Sequence, residues 1–435
     1  MSQYSNEKAG SNFMQKAAPT ATAAFLIGGS TLHSLLKIRI LSSKKNDIQN
    51  LKGDTLRELQ DTFKNCHLLV IDEKSMVGLY MLYAIDHRLR EIKPNNAMIA
   101  FGGVSIILMG DFAQLPPIGD KPLFCKSIQE LSQPQVTGAE LFSKFNITVI
   151  FDEIMRQQGD DQKQFRDVLD KLSNGTFSKS DHDYLKQRQF GGDGNISASE
   201  EKYFKENSTM ICAYNKDLIS YNIHRIRKLG NPVAHIKSKN SDGKVAKLLS
   251  SKAQGLPSQV MLSKECQVIL TTNIWKEAGL TNGARGVVKY ILYESNANVR
   301  KKDLPSLVIV YFPNYIGPSY LNMDQCVPIV PLKKTWFIGK KCCWRLMLPL
   351  KPAYATSIHS CQGRSLDKVI INIGNREFQS GLTYTAISRC KKFEDLCFYP
   401  MKNFRRYKSI LDAPAYNERL EHDKKEKEED GCFIN

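Results

Sequence analysis

The chain has 435 residues, 42% of them apolar, with 61 Lys and Arg against 44 Asp and Glu and a formal charge of +17. That composition excludes a disordered chain, and the length is enough for two to four domains with sizeable cores. No run approaches the ~18 apolar residues of a membrane span; the longest, such as Val104 to Met109, are strand-sized, so no membrane partner is expected. The opening MSQYSNEKAG has no apolar stretch for a secretory signal, and Glu7 argues against a transit peptide. The eleven cysteines are scattered without a C-x-x-C pair, so free thiols are expected rather than disulfides or a structural metal.

In chain order, Leu68-Leu69-Val70-Ile71 before Asp72 is the first clear strand. Leu79, Leu82, Ile85, Leu89 and Ile92 then recur at three and four residues, an amphipathic helix closed near Pro94. Ser105 to Met109 makes a second strand, before Gly110-Asp111. Runs without polar alternation read as parallel strands buried on both faces, so the layout is α/β, with Asp72 and Asp111 at the strands' carboxyl ends where ligands gather. Segments 191–202 and 237–244 read as loops. From Glu265 to Leu348 the runs are short and separated by turn signals such as Thr281-Asn282-Gly283, which predicts a small β module. Lys368 to Ile373 before Gly374 is a third buried strand, and 420–430 reads as a solvated or disordered end. Residues 333–410 hold 16 Lys and Arg against Asp367, Glu377, Glu394 and Asp395, which carries +12 of the +17 and points to a polyanion partner, most simply nucleic acid.

LLVIDEKSM (68–76) delivers two adjacent carboxylates from a buried strand, as nucleotide hydrolysis requires. Asp72 would hold Mg²⁺ through its water shell, and Glu73 would polarise the attacking water. In ILMGDFAQLPPIGD (107–120), Gly110 lets the chain turn close to a ligand, and Gln114 could hydrogen-bond a γ-phosphate. Arg156 in FDEIMRQ (151–157) and Arg389 in YTAISRCKK (384–392) carry planar guanidinium groups suited to charge on a transferring phosphoryl group.

Taken together, APTATAAFLIGGSTLHSLL (18–36), LLVIDEKSM, GDFAQLPP, EIMRQ, GLTNGARGVV (279–288), ATSIHSCQGRSLDKVII (355–371) and GLTYTAISRC (381–390) resemble, in order, the motifs of PIF-type 5′-to-3′ DNA helicases of superfamily 1. The set is also similar to the helicase part of Helitron-type mobile elements. The resemblance implies two RecA-like P-loop NTPase-type α/β domains, with ATP and Mg²⁺ bound between them and a small β barrel inserted in the second. It implies a Walker B pair at Asp72 and Glu73, a γ-phosphate sensor at Gln114, and cleft arginines at Arg156 and Arg389. His359, Gln362 and Gly363 match the motif coupling nucleotide to DNA, with Gln362, Gly363 and Arg389 on the nucleotide. Pro19, Thr20, Ser30, Thr31, His33 and Thr356 match the single-strand track. Phe112, His359, Tyr384, Trp336 and Trp344 are candidate faces for base stacking. The implied partners are single-stranded and forked DNA, bound by a monomer in the nucleus or mitochondrion, in repair, recombination and telomere maintenance. The mechanism would be an inchworm, in which cleft closure and reopening alternate the grip on the strand.

The domains expected on this basis are 1–17 a stub outside the family pattern, 18–150 a truncated first RecA-like domain, 151–264 and 349–412 the second, 265–348 the barrel, and 413–435 a charged tail. The departure from the pattern is the phosphate loop. No G-x-x-x-x-G-K-[ST] segment occurs, and the 17 residues before Ala18 are too few for a strand, loop and helix. Ala21 stands where the family usually has Gly, Lys74 follows Asp-Glu where an apolar residue is usual, and Ser360-Cys361 stand where Lys-Ser is typical. Two readings follow: a shortened form of an active helicase, or a non-catalytic remnant that binds single-stranded DNA. In both, little ATP hydrolysis is expected from these 435 residues, and the shortened sheet is expected to expose apolar faces.

Overall fold

A computed structural model describes residues 13–38, 48–151, 153–191, 194–248, 250–295, 303–320, 322–338, 341–411, 413–429 and 431–434. The chain divides into two compact units, Met1–Asn207 with Ile358–Asn435, and Ser208–Ser357. The divisions fall after 207 and 357 rather than at the boundaries expected from the motifs.

The first unit opens with β1 (Met14–Ala18), followed by β2 (Ser30–Thr31), β3 (Leu68–Ile71) and β4 (Ser105–Leu108), all parallel in the order β2-β1-β3-β4. Residues 14–17 are therefore no stub: Met14 to Ala17 pair with Leu68 to Ile71 at the centre of this sheet. The remainder of the expected stub, 1–12, lies outside the described residues. Covering helices are α1 (Ala21–Leu26), α2 (Asp54–Phe63), α3 (Leu79–Ile92) and α4 (Gln133–Phe142). Leu79, Leu82, Ile85 and Leu89 pack with Phe63, Leu69 and Ile71 in one apolar core, as the three-and-four spacing requires. The outer edge of β4 pairs with no strand among the described residues, and Ile107 and Met109 there are each 43% exposed. β5 (Thr148–Phe151) follows, then α5 (Lys163–Asn174) and α6 (Ala198–Asn207). Segment 191–202 is thus only partly loop: its last residues start a helix that buries Phe204.

The second unit contains β6 (Thr209–Cys212), α7 (Asn215–Lys228), β7 (Val233–Lys237), β8 (Lys239–Asn240) and β9 (Gln259–Ser263). Segment 237–244 is likewise structured, with β8 followed by a short helix at Gly243–Ala246 that Asp242 caps. β10 (Gln267–Leu270), β11 (Arg285–Leu292), β12 (Leu307–Tyr311) and β13 (Cys326–Ile329) precede the hairpin β14 (Leu332–Ile338) and β15 (Lys341–Met347). β16 (Leu350–Pro352) and β17 (Ala355–Ser357) close the unit. The β module expected over 265–348 is an antiparallel sheet in the order β13-β12-β11-β10-β16, so it extends past 348, and among the described residues its two outer strands do not pair to close a barrel. Arg345 is fully buried here, donating to the carbonyls of Leu256, Val245 and Leu248 and to Asn240.

The chain returns to the first unit with parallel β18 (Val369–Asn372) and β19 (Leu396–Phe398), helices α8 (Leu382–Ile387), α9 (Phe404–Leu411) and α10 (Pro414–Glu429), and β20 (Gly431–Ile434). The expectation of a solvated tail fails. α10 buries Tyr416 and Arg419, and β20 lies parallel to β5, with Gly431 opposite Thr148 and Ile434 opposite Phe151. The ten described cysteines are free thiols. Among the described residues no helix is long and apolar enough to cross a membrane.

Candidate active site

β3 ends at Asp72 and the next residue turns sharply: Glu73 sits in the left-handed region, at φ 58 and ψ 50. That conformation costs a non-glycine residue roughly 1–2 kcal/mol and is held where surrounding contacts fix it. Here the contact is Gln362, whose Nε2 donates to Glu73 Oε2 at 2.7 Å and to Ser75 Oγ at 3.3 Å. Glu73 and Gln362 are both buried. Burial raises the Glu73 carboxyl above its ordinary value, Asp72 and Asp111 add to the rise, and the Gln362 bond and Arg389 oppose it. Gly363 has φ +76, and a Cβ there would come within 2.9 Å of Glu73 Oε1, so only glycine fits. Gly110, at φ +130, likewise lies against the backbone of Lys74, where a Cβ would meet the amide nitrogen at 2.8 Å.

Facing these carboxylates are the two arginines. Arg389 is 1% exposed and donates to Thr385 O at 2.9 Å, Ser388 Oγ at 2.9 Å and Gln114 Oε1 at 3.4 Å. Arg156 donates to Ser365 Oγ at 3.0 Å and Ser388 O at 3.1 Å. Burial lowers the Arg156 pKa, and the charge of Arg389 lowers it further. Neither guanidinium has a carboxylate in salt-bridge contact among the described residues, so both retain unspent positive charge, Arg389 buried and Arg156 half-buried. Asp72, Glu73, Gln114, Arg156, Gln362, Gly363 and Arg389 all belong to the first unit, and the bonds Gln362 to Glu73 and Arg389 to Gln114 join motifs almost 300 residues apart.

The proposed DNA residues are less concentrated. Thr20 and Thr31 spend their hydroxyls capping short helices, accepting from Ala23 N and Ser34 N at 3.2 Å each. Ser30 is exposed, Pro19 and His33 are half-buried, and burial lowers the His33 pKa so that the ring stays neutral. His359 Nε2 meets Gln379 Oε1 at 2.8 Å, and the Gln379 amide donates to Pro116 O at 3.0 Å, which ties His359 to the loop after Gln114. Thr356 lies on β17 of the second unit. Phe112 is buried among Phe124, Phe142 and His422, so it offers no face to a base. Tyr384 is also spoken for: its hydroxyl bonds Asp111, and burial pushes its pKa far up. Trp344 stacks under Lys333 at 4.8 Å, and Trp336 has a buried Nε1 without a partner. Sequence reasoning missed Ser75, Ser365, Ser388 and Gln379. They are single polar residues whose roles appear only through their partners, and no spacing signals them.

Comparison with known proteins gives likenesses over most of the chain. A model of the PIF1-like helicase family matches residues 6–183, which again includes residues expected to be a stub. The Xenopus laevis ATP-dependent DNA helicase PIF1 is 28% identical over 386 residues, covering 87% of this chain and 53% of its own length. A protein of invertebrate iridescent virus 6 is 28% identical over 450 residues, covering 88% and 82%. Among solved structures, Pif1 helicase from Candida albicans matches 97% of this chain and 90% of its own at TM-score 0.70 and 22% identity, and Bacteroides Pif1 bound to single-stranded DNA matches 99% and 92% at 0.66 and 22%. At that identity these structures bear on the fold alone, which is the two-RecA-domain α/β architecture expected from the motifs. Over residues 6–183 the chain is thus similar to the PIF1-like helicases. It spans about half the length of the vertebrate relatives it matches.

A stability consequence follows from Glu73. Its folded pKa lies above the unfolded value near 4.5, so its favourable contribution is present below that value and is lost as pH rises through the folded pKa. Glu73→Gln should therefore stabilise the protein at neutral pH, with Tm rising on the order of 2–4 °C per ~1 kcal/mol relieved, and the gain should vanish at pH 4. Thermal unfolding at the two pH values checks this, and equal Tm shifts at both would contradict it.

Proposed function

We propose that this chain is the motor core of an ATP-dependent DNA helicase that moves 5′ to 3′ on single-stranded and forked DNA, and that in these 435 residues it keeps its hydrolytic groups and DNA grip while holding ATP poorly. The observation that carries the reading is the buried set Glu73–Gln362 and Gln114–Arg389, with Arg156 beside it. A carboxylate raised toward the working pH suits a base that orients water, and two uncompensated guanidinium groups suit the charge of a transferring phosphoryl group. Gln362 Oε1, buried and without a partner, adds an open acceptor in the same place.

Asp72 fits magnesium through water. Its Oδ1 accepts the Glu73 amide at 2.9 Å, and no cluster of three or more ligating side chains exists among the described residues. The ion would therefore take most of its shell from water and phosphate, and would supply charge neutralisation between β- and γ-oxygens. What the sequence does not supply is the ring of backbone N–H groups and the lysine of a phosphate loop. Roles in repair, recombination and telomere maintenance, and a nuclear or mitochondrial site, are proposed from family resemblance.

The test is to fuse the strand–phosphate loop–helix segment of a relative ahead of Met14 and measure DNA-stimulated ATP hydrolysis. Turnover is expected, and Glu73→Gln in the fusion should remove it by at least 100-fold. Turnover that survives Glu73→Gln would contradict the assignment.

A further inference from the structure

The charged segment after residue 412, unremarkable as sequence, is built into the first unit. α10 presents Tyr416, Arg419, His422, Asp423 and Glu426 at three- and four-residue spacing, one face of a helix. Tyr416 Oη donates to Leu172 O at 2.6 Å and Ser173 O at 3.0 Å, and Arg419 donates to Ser173 O and pairs with Asp423 at 2.6 Å. His422 sits among three rings, its centroid 5.3 Å from Phe112, 6.1 Å from Phe124 and 5.8 Å from Phe142. Lys126 pairs with Glu421 at 2.6 Å, and Thr148 donates to Glu426. Beyond the helix, β20 adds a parallel strand to β5.

Lys74 explains why this helix carries acids. Its Nζ lies 4.5 Å from the Phe112 ring centroid, under α10. Burial lowers its pKa, while Glu426, Asp423 and Asp111 favour its charge. The residue that departs from the family pattern after Asp-Glu is thus matched by carboxylates of the final helix. Asp423 in turn faces Asp111 and is driven up by burial. Helix α10 consequently packs through His422 on Phe112, the residue after Asp111 at the carboxyl end of β4. Phosphates would approach from this side, and buried carboxylates repel them.

We propose that residues 414–429 are an intrachain plug: the aromatic cradle of Phe112, Phe124 and Phe142, with Lys74 and Lys126 at its rim, receives the acidic helix α10, which excludes polyphosphate from the Asp72–Asp111 end of the sheet. Docking stands on the contacts above. The exclusion of nucleotide rests on the function proposed for the site.

The experiment uses the full chain and its Asp423→Lys/Glu426→Lys form, with hydrogen–deuterium exchange over 414–429 and Mg-ATP binding as readouts. The wild type should protect these amides. The double variant should lose at least tenfold of that protection and bind Mg-ATP at least tenfold more tightly, and adding Lys74→Glu should restore protection. His422→Ala, which leaves the charges intact, should loosen the helix in the same direction. Equal exchange in wild type and variants would overturn docking, and loss of protection without tighter Mg-ATP binding would overturn the plug. Single-strand binding by the unaltered chain, measured alongside, reports separately on the helicase reading.

Discussion

The affinity of the chain for single-stranded DNA should fall about 300-fold between 50 and 200 mM salt if six phosphates are contacted, and about 10⁴-fold if ten are. The expectation comes from the +12 held by residues 333–410, adjusted for how those cations are used. Arg345, Arg389 and Arg406 are buried and hydrogen-bonded, and Lys368 is paired with Asp395, so they release no counterions. Lys392, Arg405 and Lys408 on the first unit are exposed and stand available to a phosphate backbone. Lys392→Glu or Lys408→Glu should weaken binding for all sequences alike and flatten the salt slope. Fluorescence anisotropy of a labelled oligonucleotide at several salt concentrations measures this, and a flat response would remove DNA from the account.

The second large effect belongs to Arg406. Its guanidinium is buried and donates to Thr383 Oγ1 at 2.9 Å, Ile373 O at 3.0 Å, Gly374 O at 3.3 Å and Glu377 Oε2 at 2.9 Å. Glu377 also accepts from Thr383 N at 3.1 Å and Thr383 Oγ1 at 2.6 Å, which fixes the start of α8 and, at its far end, Arg389. Arg406→Ala would leave Glu377 charged and buried without its partner, at a cost of about 3–5 kcal/mol. For a unit of this size that lowers Tm by roughly 6–20 °C. Arg406→Lys keeps the charge but not the planar fork, and should fall between the two. By contrast, Lys391→Ala, which removes an exposed pair with Asp367 at 3.4 Å, should change stability by under ~1 kcal/mol. Thermal unfolding that ranked Lys391→Ala as the more damaging change would refute this reading of the buried network.

The parts of the fold visible in sequence were those whose burial is apolar. Leu68–Ile71 and Leu79–Ile92 form where their spacing places them, because strand and helix cores select Leu, Ile and Val at fixed periods, whereas Ser105–Leu108 forms as a strand but lies at the sheet edge and is half exposed rather than buried on both faces. β1 escaped because Met14-Gln15-Lys16-Ala17-Ala18 carries polar side chains at a central position, and Lys16 is accommodated by donating to Ile27 O at 3.1 Å. α10 escaped for the opposite reason: the face it buries is Tyr, Arg, His, Asp and Glu, which a hydrophobic pattern reads as solvent. The candidate residues that the structure brings together were legible because strand ends and glycines carry local signals. Its supporting hydroxyls and amides were not, since Ser75, Ser388 and Gln379 acquire meaning only from partners far along the chain.

The outer edge of β4 exposes Ile107 and Met109, and no G-x-x-x-x-G-K-[ST] segment is present in the sequence to surround phosphate with N–H groups. A chain so built should hold its hydrolytic side chains ready and still fail to retain the nucleotide. The direct measurement is DNA-stimulated ATP hydrolysis by the 435-residue chain with saturating single-stranded DNA and magnesium. The account predicts turnover at background, unchanged by Glu73→Gln; turnover of about 1 s⁻¹ or faster, abolished by Glu73→Gln, would contradict it.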